Sequence, residues 1–182
     1  MTRHLADFLG GANKLMWMKK IPLVLLLSVC AVDAANAKPA DSAFRSGLSA
    51  YNSGDYARAK SIWEPLAENE DAASQAGLGF MYHHGFGMVV DDKKAAYWLR
   101  KAAEHGQPEG QMMLGSLYFY GQGVSQSYVQ AFAWCDLAQD NGNADANMCR
   151  DAALQSLQSK NDVKAAFDAS LKLHHRLSLR HW

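Results

Sequence analysis

At 182 residues, with 49% hydrophobic side chains and 18 basic residues balanced by 18 acidic ones, the chain has room for one domain and a short extra segment. Zero formal net charge excludes a basic nucleic-acid binder, and the hydrophobic content excludes a charged, disordered polymer. With only 4 prolines and no long Val/Ile/Thr run past residue 38, the composition favours helices.

The first element in chain order is a leader. From Met18 the chain reads MKKIPLVLLLSVCAVDAANAKPADS: two lysines, an apolar run from Ile21 to Val32 too short to span a bilayer, then Ala35-Asn36-Ala37 with small residues at both recognition positions. This predicts a secretory signal peptide over 18–37, cleaved after Ala37, and a periplasmic destination. Residues 1–17 precede its basic start and are expected to be an upstream extension. A lipoprotein reading at Leu27-Ser28-Val29-Cys30 is weaker, because valine is a poor neighbour for a lipidated cysteine. The remaining 145 residues carry 14 basic against 16 acidic side chains, so nothing steers them to an anionic polymer.

Beyond the leader the strongest signal is internal repetition. Residues 72–107 and 108–143 align without a gap, and ten positions are identical. Gln75/Gln111, Leu78/Leu114, Gly79/Gly115 and Tyr82/Tyr118 fall at i, i+3, i+4 and i+7, one stripe of a first helix. Ala95/Ala131, Trp98/Trp134 and Ala102/Ala138 form a stripe on a second. Glycine at 79 costs about 1 kcal/mol of helix propensity, so its expected role is to let a neighbouring helix approach. Gly85 and Gly106 stand where the two helices should stop. Each unit is therefore a helical hairpin with a glycine-bearing loop. Residues 40–71 are a degenerate earlier unit, in which Gly54-Asp55 turns directly into the second helix. Residues 144–182 begin another unit, lose the Leu-Gly pair to Arg150-Asp151, and break at Ser159–Asp162 before a last helix from Val163 to about Leu173. Such an altered end unit would cap the final apolar face.

Several stretches suggest sites. His83-His84 are adjacent and point about 100° apart on a helix, so regular geometry denies them a shared metal, and no HExxH is present. The twin unit places Phe119-Tyr120 there, which favours a helix-end pair. Gly-x-Gly at 85–87 and 121–123 is a turn and not a phosphate loop, since Val90 and Gln126 hold the third-glycine place. GxSxG, SxxK, CxxC and HExxH are all missing from the mature chain, so neither catalytic residues nor a cofactor or metal set is expected. Positions that vary between units are free to bind. Ala76, Phe80, His83 and His84, followed by Met112, Ser116, Phe119 and Tyr120, form a second, aromatic and neutral stripe suited to a peptide or helix. Core packing of Phe80 and Phe119 is the competing reading. The C-terminus, LKLHHRLSLRHW, offers Lys172, Arg176 and Arg180 for anionic lipid or a partner, with a frayed solvated tail as the default.

The stretches LGFMYHHGFGMVVDDKKAAYWLRKAAEHG and LGSLYFYGQGVSQSYVQAFAWCDLAQDNG, with GDYARAKSIWEPLAEN before them, resemble the Sel1-like repeat family, a branch of the tetratricopeptide-like superhelices. The resemblance covers residues 40–157. It implies an all-α, right-handed α/α superhelix whose first helices line the inner surface, and an adaptor role. Some cysteine-rich relatives imply an alternative, β-lactam or peptidoglycan binding or hydrolysis.

Two cysteines remain after the leader. Cys135 and Cys149 lie seven residues either side of Gly142, level on antiparallel helices, at places held by Trp63/Gly77 and Leu99/Met113 in the earlier units. In an oxidising compartment a disulfide is expected, and buried free thiols are the alternative. The expected function is a noncatalytic adaptor of the cell envelope, stacked from four hairpins. Its partner would be an envelope protein or peptide, not nucleic acid, with membrane contact confined to the basic tail.

Overall fold

The structure, a computed structural model, describes residues 39–179. The extension at 1–17, the signal peptide at 18–37, its cleavage site after Ala37, and Arg180 and Trp182 lie outside the described residues. Among the described residues the regular structure is all helical: α1 (Pro39–Asn52), α2 (Tyr56–Glu68), α3 (Ala72–His84), α4 (Asp92–Glu104), α5 (Pro108–Tyr120), α6 (Tyr128–Asp140), α7 (Ala146–Ser156) and α8 (Lys160–Ser178). None of these helices is long and apolar enough to cross a membrane.

Short polar residues start the helices. The side chains of Asp55, Asp71, Asp91, Ser127 and Ser159 each accept a backbone N–H three residues on, satisfying one of the donors that a helix start leaves open. At α5 the start is made instead by Pro108, whose missing N–H is no loss there. Left-handed glycines stop α3 and α5: Gly85 has φ +70° and Gly121 φ +71°, and their amides donate to Met81 and Leu117. The loops then close identically. The Asp91 amide donates to the Tyr82 carbonyl and the Ser127 amide to the Tyr118 carbonyl, both at 2.9 Å.

The second glycine of each Gly-x-Gly has a separate task. Gly87 and Gly123 also have positive φ, +70° and +68°. A Cβ on Gly87 would sit 2.6 Å from the Cβ of Tyr56, and one on Gly123 would run into the Asp92 carbonyl. Each loop thus rests on the start of the preceding unit's second helix, a contact only glycine permits.

From α1 to α7, helices adjacent in sequence pack side by side, and the first helices also touch the next first helix, α3 against α5 and α5 against α7. Close approach depends on glycine. At Gly79 a Cβ would meet Leu99 Cγ at 2.5 Å and the Ala95 carbonyl at 3.2 Å, and at Gly115 it would collide with the Cys135 sulfur. Gly47 faces Trp63 in the same way, so the degenerate unit keeps this junction even though its shorter loop hides the alignment. Trp63, fully buried, also fills the space above Gly77, and its Nε1–H donates to the Phe44 carbonyl at 3.2 Å. Leu78, Leu99, Leu114 and Leu117 are buried as well, each contributing about 1.5–3 kcal/mol by leaving water.

The C-terminal unit departs from a regular hairpin. After α7 the chain turns at Leu157 (φ −75°, ψ 131°), and α8 lies against α6 and not along α7. Ala153 of α7 and Ala166 of α8 meet beneath Phe132 of α6, with Phe119, Tyr118 and Leu157 around them. The helix also outlasts the expected stop near Leu173. The buried stripe Ala166, Ser170, Leu173 and Leu177 continues at helical spacing, so residues 172–178 are helix and not a frayed tail.

Candidate functional site

The positions that repeat are the ones the stack consumes. Gln75, Leu78, Ala95 and Ala102 are fully buried, as are Gln111, Leu114, Ala131 and Ala138. The glutamines explain why a polar residue recurs in a core. Gln75 Nε2 donates to the Ala67 carbonyl at 2.9 Å and Gln111 Nε2 to the Ala103 carbonyl at 3.0 Å, each reaching back to the end of the preceding unit's second helix. Their amide oxygens accept from His105 (3.1 Å) and Asn141 (2.9 Å), at the end of their own unit's second helix. One side chain therefore ties three helix ends together, and both of its polar atoms are satisfied.

Of the second stripe expected to bind, the part in α3 divides: Ala76 and Phe80 are core, and His83 and His84 are half-buried. Phe80 is 4% exposed and Ala76 likewise, so neither is accessible to a partner. Phe80 stacks on His84 at 4.1 Å and on Phe86 at 5.8 Å, and meets Tyr51 edge-on at 6.2 Å. Tyr56 completes the cluster by stacking on Phe86 at 5.0 Å. The physical reason is the preceding unit: α1 and α2 supply the two tyrosines, and Phe86 folds back from the loop to close the box. Burial first, and the neighbouring Tyr56 second, push the Tyr51 hydroxyl well above its ordinary pKa.

The two histidines separate in role. His83 Nδ1 lies 2.6 Å from Asp92 Oδ1 and clasps the loop to the start of α4. His84 directs Nδ1 to the Phe80 carbonyl of its own helix at 3.0 Å. At the start of α4 the Asp91 carboxylate is held below its usual pKa, chiefly by the backbone N–H of Lys94.

In α5 the stripe is more open. Met112 and Ser116 are half-buried, and Tyr120, one further turn along, is 53% exposed. The Ser116 hydroxyl donates to the Met112 carbonyl at 3.1 Å. Phe119 is half-buried against Tyr128 at 5.3 Å and belongs to the cluster under α8. The stripe residues Met112, Ser116 and Tyr120 remain at the surface of one helix face.

Cys135 and Cys149 are joined as a disulfide with Cα atoms 5.9 Å apart, linking α6 to α7. Both thiols that an enzymic alternative would draw on are thereby engaged. Sequence spacing gave no sign of a second grouping, Asp136, Asp140 and His174, whose ligand atoms lie within 4.8 Å of one another. Beside it Ser170, His174 and Asp140 form a serine–histidine–aspartate series, but the hydroxyl is unsuited to attack. Ser170 is 4% exposed and donates to Asp136 at 2.6 Å, not to the imidazole. Only the helix packing brings these residues together, since they come from α6 and α8.

Comparison with known proteins agrees with this geometry. The Sel1 repeat model matches residues 72–107 and 108–143. No curated protein matches the chain. Among solved structures, it is similar to a protective antigen of uropathogenic Escherichia coli strains that displays an SLR fold, at 29% identity and a TM-score of 0.73. That match covers 79% of this chain but 31% of the antigen, so the chain spans about a third of its length. It is also similar to a Sel1 repeat protein from Oxalobacter formigenes, at 26% identity and a TM-score of 0.56, over 78% of this chain and 99% of that one. With its glycine-spaced helical hairpins and its glutamine ties, the chain carries two Sel1 repeats, over residues 72–107 and 108–143, within an all-α solenoid.

Proposed function

We propose that the protein is a noncatalytic scaffold of the cell envelope that holds a protein segment against the first-helix face at Met112, Ser116 and Tyr120. The observation that carries this reading is the division of labour within α5. Gln111, Leu114 and Gly115 are buried in the stack, whereas Met112, Ser116 and Tyr120 lie at one-turn spacing and do not repeat between units. A rigid helix presenting a flexible thioether, a small hydroxyl and an open phenol suits a partly apolar peptide or helix. The Sel1 repeat is consistent with a protein–protein interaction scaffold. The basic-apolar-small pattern of residues 18–37 supports export and an envelope partner.

The test is crosslinking of the tagged protein in its native envelope, followed by mass spectrometry of what is captured. It is run beside a Met112→Ser/Tyr120→Ser variant whose folding is checked by circular dichroism. One dominant partner that the variant loses supports the assignment. The same partners from both forms, or none from either, overturns it.

A further inference from the structure

We propose that Asp136 and Asp140 of α6 and His174 of α8 form a binding site for a divalent first-row transition metal of the zinc type, which fastens the last helix to the stack. The argument starts from one proton. The Ser170 hydroxyl donates its only hydrogen to Asp136 Oδ2 at 2.6 Å. His174 Nδ1 faces the Ser170 carbonyl at 2.9 Å and the Ser170 hydroxyl oxygen at 3.2 Å, and both are acceptors toward it. The tautomer with hydrogen on Nδ1 satisfies both. In the neutral ring that leaves a lone pair on Nε2, and Nε2 lies 2.9 Å from the carboxylate oxygen Oδ2 of Asp140. Two acceptors at that separation need a positive charge between or beside them. A metal cation beside them would supply it.

The donor set favours the metal. An imidazole fixed through Nδ1–H to a backbone carbonyl, with Nε2 directed at carboxylates, is the arrangement that orients a ligating histidine. Asp136 and Asp140 stand one helical turn apart and so share a face of α6, and His174 crosses from α8 to meet them. The three ligand atoms already lie within 4.8 Å of one another, and tetrahedral ligands about 2.0–2.1 Å from zinc are about 3.4 Å apart. The side chain of Asp140 is 63% exposed and can move by the difference, and water completes the shell. Two carboxylates balance a divalent charge, and among the described residues no lysine or arginine forms an ion pair with either. One nitrogen and two oxygens suit zinc or a neighbouring first-row ion better than calcium, which takes oxygen alone.

The test is titration of the disulfide-intact chain, free of any histidine tag, with zinc chloride in metal-free buffer near neutral pH. Heat is followed by calorimetry and the histidine ring nitrogens by NMR. The expected result is one zinc per chain, a shift at His174 Nε2, and affinity weakened by about tenfold or more in Asp140→Asn. Zinc should also raise the melting temperature of the wild type by more than that of Asp140→Asn or Asp136→Asn at the same concentration. Because Asp140→Asn alters an exposed group, its metal-free melting curve shows separately that it is folded. No uptake tighter than about 100 µM, a dissociation constant equivalent to about −5.5 kcal/mol, would overturn the proposal. Uptake undiminished in Asp140→Asn, or shifts at His83, His84 or His105 in place of His174, would overturn it equally.

Discussion

Replacing Gly79 by alanine sets two effects of opposite sign against each other. Alanine in a helix interior is worth about 1 kcal/mol over glycine, so propensity alone predicts a more stable protein. The new Cβ, however, lies 2.5 Å from Leu99 Cγ, 2.8 Å from Leu99 Cδ2 and 3.2 Å from the Ala95 carbonyl oxygen. Cγ is the branch point of a fully buried side chain and the carbonyl is backbone, so neither can swing aside. Overpacking of this kind costs about 1–3 kcal/mol, and the net expectation is destabilisation of about 0–2 kcal/mol. Leu99→Ala alone should cost about 2–5 kcal/mol through the cavity it leaves. In that cavity the Cβ at position 79 no longer meets Leu99, so Gly79→Ala should become neutral or stabilising by up to about 1 kcal/mol. Guanidinium unfolding of the four proteins closes the double-mutant cycle, with an expected coupling of about 1–3 kcal/mol. If Gly79→Ala stabilises the otherwise unaltered chain, or shifts stability equally in both backgrounds, the close approach of α3 and α4 is not why glycine stands there.

Gln111→Ala should destabilise by about 2–4 kcal/mol, from two lost hydrogen bonds of about 1 kcal/mol each and the void they leave, while Gln155→Ala, at an exposed position of α7, should change little in the same unfolding assay. Replacing Cys135 and Cys149 together by alanine removes a crosslink between residues 14 apart and should cost about 3 kcal/mol in the chain-entropy account, read as a lower denaturation midpoint. Burial raises the Glu109 carboxyl above its ordinary pKa. The folded state thus holds that proton more tightly than the unfolded one, a contribution present below the unfolded pKa and lost as pH rises through the folded value. Glu109→Gln should therefore be more stable than the wild type at neutral pH, with the gap closing as pH falls through the carboxylate range.

What could be read in the sequence was what repeats. Gly79 and Gly115 announced close helix approach because a helix-breaking residue recurred inside a helical stripe, and Leu99 and Cys135 stand against them. The cysteine pairing was legible because Cys135 and Cys149 flank the Gly142 turn symmetrically. Depth was not legible. The stripe holding Phe80 looked free because it varies between units, but its cover comes from Tyr51, Tyr56 and Phe86, in a shorter unit and a folded-back loop. The path of α8 was hidden for the opposite reason. Residues 144–182 have no twin, and what anchors α8 is a set of single contacts, Ser170 to Asp136 and His174 to Asp140, that no spacing announces.

The ties between units have a modular consequence. Gln75 reaches Ala67 as Gln111 reaches Ala103, and Gly87 rests on Tyr56 as Gly123 rests on Asp92. Each bond joins places that recur with the unit itself, so a whole unit excised between residues 72 and 107 would leave Gln111 facing Ala67 and Gly123 facing Tyr56. Interchangeable joints of this kind let such a chain lengthen or shorten by whole units without redesigning a core. They also confine growth to the interior of the stack. At the next place in the series stands Asn147, exposed to solvent, and α8 covers α6 beside it.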